Sequence, residues 1–291
     1  MKKIGIFAII ALGFVGCKEI TKNLTQDINL NLPTAEKKLV VECYLQPGQP
    51  YALSLSETVD YFGAITLPTV KNAIVTITYN GQIDTLKPLS IPLNGQIISA
   101  YVAFKAVPTD YSSIFRLDVL AADGRKCWAT TTIAPPVTFD SVQQFNYTSG
   151  TKAIIGTLKD NGNTADFYRY LLFKRALDTT KNSAGMPIQP LQTAWKNKYV
   201  RQSRNDDRFI NGQNLVLVTN LDKYTDMPND TFVSYLYHVT PQYNEFLKSA
   251  AAASNANGNP FAQPAELVSN INGGIGIFTG YQPSVHHTIL R

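Results

Sequence analysis

Charged side chains are scarce in this sequence. Asp, Glu, Lys and Arg together make up 16% of the 291 residues, and the formal net charge is +5. Lysine and arginine never occur in runs longer than two. Proteins that bind nucleic acid carry a basic patch or stripe, so the composition argues against nucleic acid as a partner.

Histidine is also scarce, with three residues in the chain, and no Gly-x-Ser-x-Gly motif is present. A serine hydrolase needs a nucleophile, a base and an orienting acid. His238 lies among alternating apolar residues, which predicts a packed histidine. His286 and His287 are adjacent in a strand, where neighbouring side chains point to opposite faces and cannot bind one metal ion. The sequence therefore predicts no metal or cofactor site.

The densest acidic spot is Asp206-Asp207-Arg208. Two carboxylates could act as the acid and the base of a glycosidase. Adjacent residues seldom aim at one bond, however, and Arg208 indicates an ion pair instead. We therefore predict a protein without enzymatic activity.

Long apolar runs are missing except at the start, where Ile4 to Val15 follows Lys2 and Lys3. This run is too short to cross a bilayer as a permanent helix. A basic start followed by an apolar core is typical of a secretory signal. We interpret residues 1–16 as a signal peptide that is removed on export.

The signal ends at Cys17, and Phe14-Val15-Gly16-Cys17 resembles the bacterial lipobox. In that motif the cysteine thiol receives diacylglycerol before cleavage on its amino side. A triacylated cysteine carries several acyl chains, such as palmitate, and each buried CH₂ contributes about 0.8 kcal/mol to the anchor. The alternatives are an ordinary secreted protein cut elsewhere and a short membrane-anchored N-terminus.

Cysteine is rare as well, and lipid on Cys17 would leave two of the three thiols. Cys43 and Cys127 both lie in strand-like segments. In an oxidising compartment they could form a disulfide that joins early and late strands of one sandwich. The alternative is that both are buried free thiols.

Hydrophobic residues make up 44% of the chain, which is ample for a core. Alternating apolar and polar residues predict many short strands, and Asn80-Gly81 predicts a type I′ hairpin turn. About seven strands before residue 134 indicate an immunoglobulin-like β-sandwich. The predicted organisation is a lipidated tether and first edge strand at 17–37 and the sandwich at 38–134, followed by a second antiparallel β domain at 137–291.

Two features stand out in the predicted second domain. Thr240 can cap a helix at 241–253 whose first position is Pro241, with one apolar face that includes Tyr243 and Phe246. Residues 178–212 carry few apolar repeats, so we predict a long excursion between strands there. Pro135 and Pro136 mark the boundary between the two domains.

Several segments resemble one protein family. They are Lys38 to Glu42, Asn72 to Thr78, Asp207-Arg208-Phe209, Asn259 to Ala265 and Gly273 to Phe278. Together with the lipobox they resemble outer-membrane lipoproteins of Bacteroidota that carry a domain of unknown function and are often encoded beside a TonB-dependent receptor. The resemblance implies a lipid-anchored protein of the outer membrane, facing the cell exterior, whose partner is a TonB-dependent β-barrel receptor. It implies no known reaction.

Three hypotheses follow for the function. The first is an accessory, non-enzymatic subunit of a TonB-dependent receptor that helps to capture or gate a nutrient. The second is a stand-alone lipoprotein that binds a glycan or a peptide, and the third is an outer-membrane assembly factor. The candidate contact residues are Tyr61, Phe62, Trp195, Asp207, Arg208 and Phe261.

The aromatic candidates have different roles in these hypotheses. Tyr61, Phe62 and Trp195 could form platforms for sugar rings. Phe261 lies between Pro260 and Pro264, which pre-set the backbone around it. It would either present an aromatic ring to a protein partner or plug the core of the second domain.

Overall fold

The pattern of burial in each strand follows the alternation of the sequence. In the first strand Leu39, Val41, Cys43 and Leu45 are at most 1% exposed, whereas Glu42 is exposed. The computed structural model describes residues 36–59, 68–93, 96–177, 195–206, 208, 210–221, 226, 228–256 and 266–291. The strands are β1 (Leu39–Leu45), β2 (Pro50–Glu57), β3 (Ile74–Tyr79), β4 (Gln82–Leu93), β5 (Gln96–Ala106), β6 (Phe115–Leu120), β7 (Lys126–Thr131), β8 (Ile133–Ala134), β9 (Ser141–Asn146), β10 (Lys152–Lys159), β11 (Phe167–Leu177), β12 (Trp195–Asp206), β13 (Asn214–Asn220), β14 (Thr231–His238), β15 (Gly274–Tyr281) and β16 (Ser284–Ile289), and the helix is α1 (Pro241–Ala256).

The hairpin between β3 and β4 has the predicted turn. Asn80 has φ of 46° and Gly81 has φ of 76°. A type I′ turn requires positive φ at both central residues, and Asn-Gly is the pair that adopts it most readily. The prediction from Asn80-Gly81 is confirmed.

The first sandwich is one nine-stranded sheet that folds over on itself, in the order β7-β6-β3-β4-β5-β2-β1-β15-β8. The long strand β4 makes the fold possible, because its first part pairs with β3 and its second part, from Lys87 onward, pairs with β5. The core between the layers includes Tyr51, Leu53, Ile77, Phe115 and Phe278.

The strand β15 belongs to the first sandwich, although the sequence pattern placed it in the predicted second domain. β15 pairs in parallel with β1 from Leu39–Gly274 to Leu45–Gly280. The predicted second domain at 137–291 is therefore wrong as a continuous unit, since its residues 274–281 belong to the first sandwich. Near-continuous burial along β15 is typical of a central parallel strand, and a Cβ on Gly276 would lie 1.9 Å from the Val41 carbonyl oxygen.

The second sandwich packs a three-stranded sheet, β13-β10-β9, against a four-stranded sheet, β12-β11-β14-β16. Its core includes Ile154, Tyr170, Leu217, Phe232 and Leu290. β12 runs antiparallel to β11 and occupies the end of the predicted 178–212 excursion. That prediction is wrong for residues 195–206, because an edge strand rich in lysine and arginine lacks the apolar alternation of a half-buried strand.

The helix connects the two sandwiches. Thr240 Oγ1 accepts a hydrogen bond from the Tyr243 backbone N–H at 3.3 Å, which confirms the predicted cap. Tyr243 and Phe246 are buried in a cluster with Val239 and Ile277. The helix extends past the predicted 241–253 to Ala256. The described part of the chain is thus mainly β, with sandwich-like sheets and one amphipathic helix, as predicted.

Candidate binding groove between two sheet edges

Two sheet edges in the second sandwich face each other. In the described part of the chain, β9 pairs with β10 alone and β16 pairs with β14 alone. Each strand therefore has one side without a neighbouring strand. A free edge presents a row of backbone N–H and C=O groups that can pair with another strand.

The groups on the free edge of β16 follow from the pairing with its neighbours. The Leu290 N–H donates to the Asp230 oxygen at 2.9 Å, and the Leu290 oxygen accepts from the Asn229 N–H at 2.8 Å. Backbone groups of successive residues point to opposite sides of a strand. The N–H and C=O groups of Val285, His287 and Ile289 therefore point to the free edge.

The groups on the free edge of β9 follow from its hydrogen bonds to β10. The Tyr147 N–H donates to the Thr151 oxygen at 2.8 Å, so Tyr147 points toward β10. Because successive residues point their backbone groups to opposite sides of a strand, the groups of Val142, Gln144 and Asn146 point away from β10. These groups face the free edge of β16.

One side chain bridges the two edges. The Gln144 Oε1 accepts a hydrogen bond from the Arg291 backbone N–H at 2.8 Å, and the Gln144 Nε2 donates to the Arg291 backbone oxygen at 3.1 Å. The Lys152 Nζ donates to the same oxygen at 2.5 Å. The Gln144 amide thus makes the pair of hydrogen bonds that a backbone residue of a neighbouring strand would make.

The two edges run in the same direction. Near the start of β16 the Ser284 hydroxyl donates to the Val137 carbonyl oxygen, before β9 begins. Near its end, Arg291 is bound by Gln144 of β9. Both chains therefore advance from the Val137 end of the groove to the Arg291 end.

The space between the edges is a groove of about 570 Å³. Its volume is in the range of ligand sites in proteins, which is about 300–1,000 Å³. Amide, hydroxyl and imidazole groups line it together with the apolar side chains of Val142 and Ile289, and His286 and His287 are exposed. The lining residues are Val142, Gln143, Gln144, Asn146, His286, His287, Thr288, Ile289 and Arg291.

Several predicted site residues lie outside the described part of the chain: Cys17, Tyr61, Phe62, Asp207 and Phe261. Trp195 is the first residue of β12, and its side chain is not described. These residues are not part of the groove as described, and their roles stay predictions.

Arg208 forms the ion pair that the sequence indicated, and Asp206 is the partner. The Arg208 Nε lies 2.9 Å from Asp206 Oδ1 and its Nη2 lies 2.7 Å from Oδ2. This bidentate contact, with Lys248 also near, lowers the pKa of the Asp206 carboxyl. Arg208 is therefore engaged within its own chain.

Cys43 and Cys127 are buried free thiols. A Cβ on Gly274 would lie 3.3 Å from the Cys127 Cβ, and Gly274 pairs with Leu39. Cys127 therefore lies near the Leu39 end of β1. Cys43 is four residues farther along β1, about 13 Å from Leu39 by the rise of a strand. A disulfide needs Cβ atoms about 4 Å apart. The disulfide alternative is therefore incompatible with this geometry. Burial raises the pKa of Cys43 to about 12 and that of Cys127 to about 11.

His238 makes two polar contacts beside the linker. Its Nε2 lies 3.0 Å from Asp166 Oδ1, and its Nδ1 lies 3.1 Å from the Pro135 carbonyl oxygen. The side chain is 15% exposed. His238 is thus a largely buried residue that ties the linker to the second sandwich.

Two kinds of site are absent from the described residues. Those residues contain no group of three or more His, Cys, Asp or Glu side chains placed to hold a metal ion. No helix among them combines the length and the apolar character needed to cross a membrane.

The sequence did not point to the groove, although it contains a signal. Exposed edge strands are usually protected by lysine, other charges or proline. Ser141–Asn146 and Ser284–Ile289 contain no Lys, Arg, Asp, Glu or Pro. The absence is visible in the sequence, but only the topology shows that both strands are edges and face each other.

The sequence profile of one family, described as "Domain of unknown function (DUF4249)", matches residues 25–286. The chain belongs to this family. A search of curated proteins finds no match.

Solved structures give distant similarities. A cytokine receptor complex aligns with a TM-score of 0.26 and 10% identity, covering 86% of this chain and 95% of that one. Trypsin-activated alpha-2-macroglobulin from Escherichia coli aligns at 0.25 and 9%, covering 71% of this chain and 15% of that one. The FN1–FN3 domains of chicken CNTN1 align at 0.19 and 12%, covering 84% and 65%.

Proposed function

We propose that this protein is a non-enzymatic lipoprotein of the outer membrane, anchored through Cys17 and facing the cell exterior. In this proposal it is an accessory subunit of a TonB-dependent receptor and helps to capture or gate a nutrient. The observation that carries the proposal is the lipobox-like Phe14-Val15-Gly16-Cys17 directly after an apolar leader.

The architecture supports a role in binding. Among the described residues, the groove has edge backbone groups without a neighbouring strand on two sides and a lining of mixed polar and apolar groups, which are features of a contact surface. The first described strand begins at Leu39. In the sequence, residues 18–38 lie between Cys17 and Leu39, and a fully extended chain of that length spans at most about 75 Å.

Mass spectrometry of the protein from its native cells tests the anchor. We expect a triacylated Cys17 at the amino terminus and recovery in the membrane fraction. Cys17→Ser should remove the lipid and release the protein from the membrane. Cys43→Ser is the matched control, because it replaces another cysteine and should leave the lipid in place. An unmodified amino terminus in the natural protein would contradict the anchor.

Detergent extraction and pull-down of the tagged protein tests the partner. We expect a TonB-dependent β-barrel protein to be recovered in stoichiometric amounts with the natural chain. Recovery of the lipidated protein alone, at several detergent strengths, would contradict the receptor role while leaving the anchor intact.

A second candidate function is binding of a glycan or a peptide without a receptor. The polar side chains of the groove favour it. A glycan array with the natural chain and with a Tyr61→Ala, Phe62→Ala and Trp195→Ala variant tests the predicted aromatic platforms. Binding that the triple variant abolishes would support them, and no binding by the natural chain would count against the sugar ligand.

A further inference from the structure

We propose that the groove between β9 and β16 takes one extended polypeptide segment of a partner protein as an added β-strand. The added strand would run antiparallel to both edges and join the two sheets of the second sandwich. This inference rests on the proposed binding role, and it names the kind of ligand that this groove takes.

The ordinary spacing of sheets in a sandwich leaves room for a single strand between two facing edges. Sheets in a sandwich lie about 10 Å apart, and hydrogen-bonded strands lie about 4.8 Å apart. A gap between two facing edges of a sandwich is therefore close to two strand spacings. One strand placed in it can bond to both sides.

The hydrogen-bonding groups on the two sides match this occupant. Val142, Gln144 and Asn146 present backbone groups from β9, and Val285, His287 and Ile289 present them from β16, as their alternation requires. The two edges run in the same direction. A strand of the opposite direction is therefore antiparallel to both.

The Gln144 amide already occupies the position of a missing strand residue at one end. It both accepts from the Arg291 N–H and donates to the Arg291 oxygen, at 2.8 and 3.1 Å. An incoming strand can replace this side chain with a backbone amide of the same bonding pattern. No covalent chemistry is involved.

The composition of the edges points the same way. Within one sheet, the edge strand β12 carries Lys196, Lys198, Arg201 and Arg204, whereas the opposite edge, β16, carries no lysine or arginine. Charged edges discourage strand addition. The sheet thus carries this protection at β12 and lacks it at β16.

The outer face of β9 indicates which side chains the segment would carry. Phe145 is 45% exposed and Tyr147 is 38% exposed, and their rings pack edge to face with centroids 4.9 Å apart. Alternate side chains of an added strand would lie beside these rings. We expect a segment with apolar or aromatic residues at every second position.

An extension of the chain itself tests the fit. After Arg291 we add Asn-Gly and then six residues of alternating Thr and Val, in the full chain carrying Cys17→Ser so that lipid plays no part. A two-residue turn returns the added segment antiparallel to β16, directly into the groove, at a high effective concentration. The control extension replaces each Val by Pro, which removes backbone donors.

The readout is amide hydrogen exchange at single-residue resolution. We expect exchange at Gln144, Asn146, His287 and Ile289 to slow at least tenfold with the Thr-Val extension and to stay unchanged with the Thr-Pro control. Val41 in the first sandwich serves as an internal reference. Protection of β16 alone, or of neither edge, would overturn the proposal.

The experiment must also distinguish a polypeptide strand in the groove from a sugar ligand. A glycan that binds the unextended chain and protects the same four amides would assign the groove to sugars and would also overturn the proposal. Because the exchange experiment uses the unlipidated chain without a receptor, its result is independent of the mass spectrometry and the pull-down. Failure of either proposal is thus recognisable by itself.

Discussion

The two sandwiches close their open sides differently. In the first, Trp128 and Asn272 exchange two backbone hydrogen bonds at 3.0 and 2.8 Å, which join β7 to the segment before β15. In the second, the corresponding contact between β9 and β16 is made by the Gln144 side chain. A backbone bridge thus completes a sheet, whereas a side-chain bridge leaves room for another strand.

The largest expected effect comes from disrupting the backbone seam, by which we mean the paired backbones of β7 and the segment before β15 at Trp128 and Asn272. Gly273 has φ of +76°, and a Cβ there would lie 2.5 Å from the Lys126 oxygen. We expect Gly273→Ala to lower the free energy of unfolding by about 3 kcal/mol or more, since it combines backbone strain with a backbone clash. Urea denaturation measures the change.

Gly150 supplies the matched control for that substitution. It has φ of +81° but nothing within 4 Å of an added Cβ. Gly150→Ala should cost about 1 to 2 kcal/mol, which is the strain of the left-handed conformation alone. Equal losses of unfolding free energy in Gly273→Ala and Gly150→Ala would show that the backbone seam is not tightly packed.

The two sandwiches should also differ in their response to pH, because both buried thiols lie in the first sandwich. Burial raises the pKa of Cys43 from 9.0 to about 12 and that of Cys127 from 9.0 to about 11. Their contribution to stability is fully present below pH 9, where the unfolded thiols are neutral. It is lost as pH rises from about 9 through 11 to 12.

We expect the two thiols together to lower the free energy of unfolding by about 3 kcal/mol between pH 8 and pH 10. Urea denaturation at both pH values measures it. A Cys43→Ala, Cys127→Ala variant keeps the tyrosines and should lose less stability over the same interval. An identical pH dependence in the two proteins would contradict the burial of the thiols.

A smaller effect is expected at the side-chain bridge of the second sandwich. Gln144→Ala removes both hydrogen bonds to Arg291, each of a kind that contributes about 1 kcal/mol. We expect the Arg291 amide to exchange about fivefold faster, while the global unfolding free energy changes little. Gln143→Ala, on the neighbouring outward position of β9, is the control and should leave that amide unchanged.

The smallest effect concerns an ion pair at the closed side of the first sandwich. Glu57 accepts a hydrogen bond from Arg125 at 2.8 Å, and Arg125 also donates to the Lys37 carbonyl oxygen. Arg125 lowers the pKa of Glu57, so the pair stabilises the fold above the ordinary carboxyl pKa and loses this effect as pH falls.

Glu57→Gln should therefore cost less than about 1 kcal/mol at neutral pH, and less still in high salt. Thermal unfolding at low and high salt measures the difference. The Asp118→Asn variant, whose carboxylate pairs with Arg116 on an exposed face, is the control. A large, salt-independent loss in Glu57→Gln would contradict the weak-pair interpretation.

Local signals predicted the local structure well. Asn80 adopts positive φ because asparagine tolerates the left-handed region, and Gly81 because it lacks a Cβ. Thr240 caps α1 because its hydroxyl reaches the Tyr243 N–H. The fold class followed from the strands and their turns. Each of these predictions depends on neighbours in the chain alone.

The wrong predictions, for residues 195–206 and for a continuous second domain, both concern pairing between strands. β12 carries charge because it is an edge, and β15 carries glycine because it passes close to β1, so neither shows the alternation of a half-buried strand. The groove escaped prediction for the same reason, since β9 and β16 are far apart in the sequence. The candidate contacts at Tyr61, Phe62, Trp195 and Phe261 stay predictions.

The sequence by itself determined a mainly β chain with a type I′ hairpin and a capped helix, and it predicts a leader and a lipidation site at Cys17, because these depend on short-range chemistry. Only the tertiary structure decided that β15 completes the first sandwich, that Cys43 and Cys127 lie apart, and that two unprotected edges face each other across a groove. Those features depend on which strands become neighbours, and backbone hydrogen bonds between distant segments carry no sequence signature of their own.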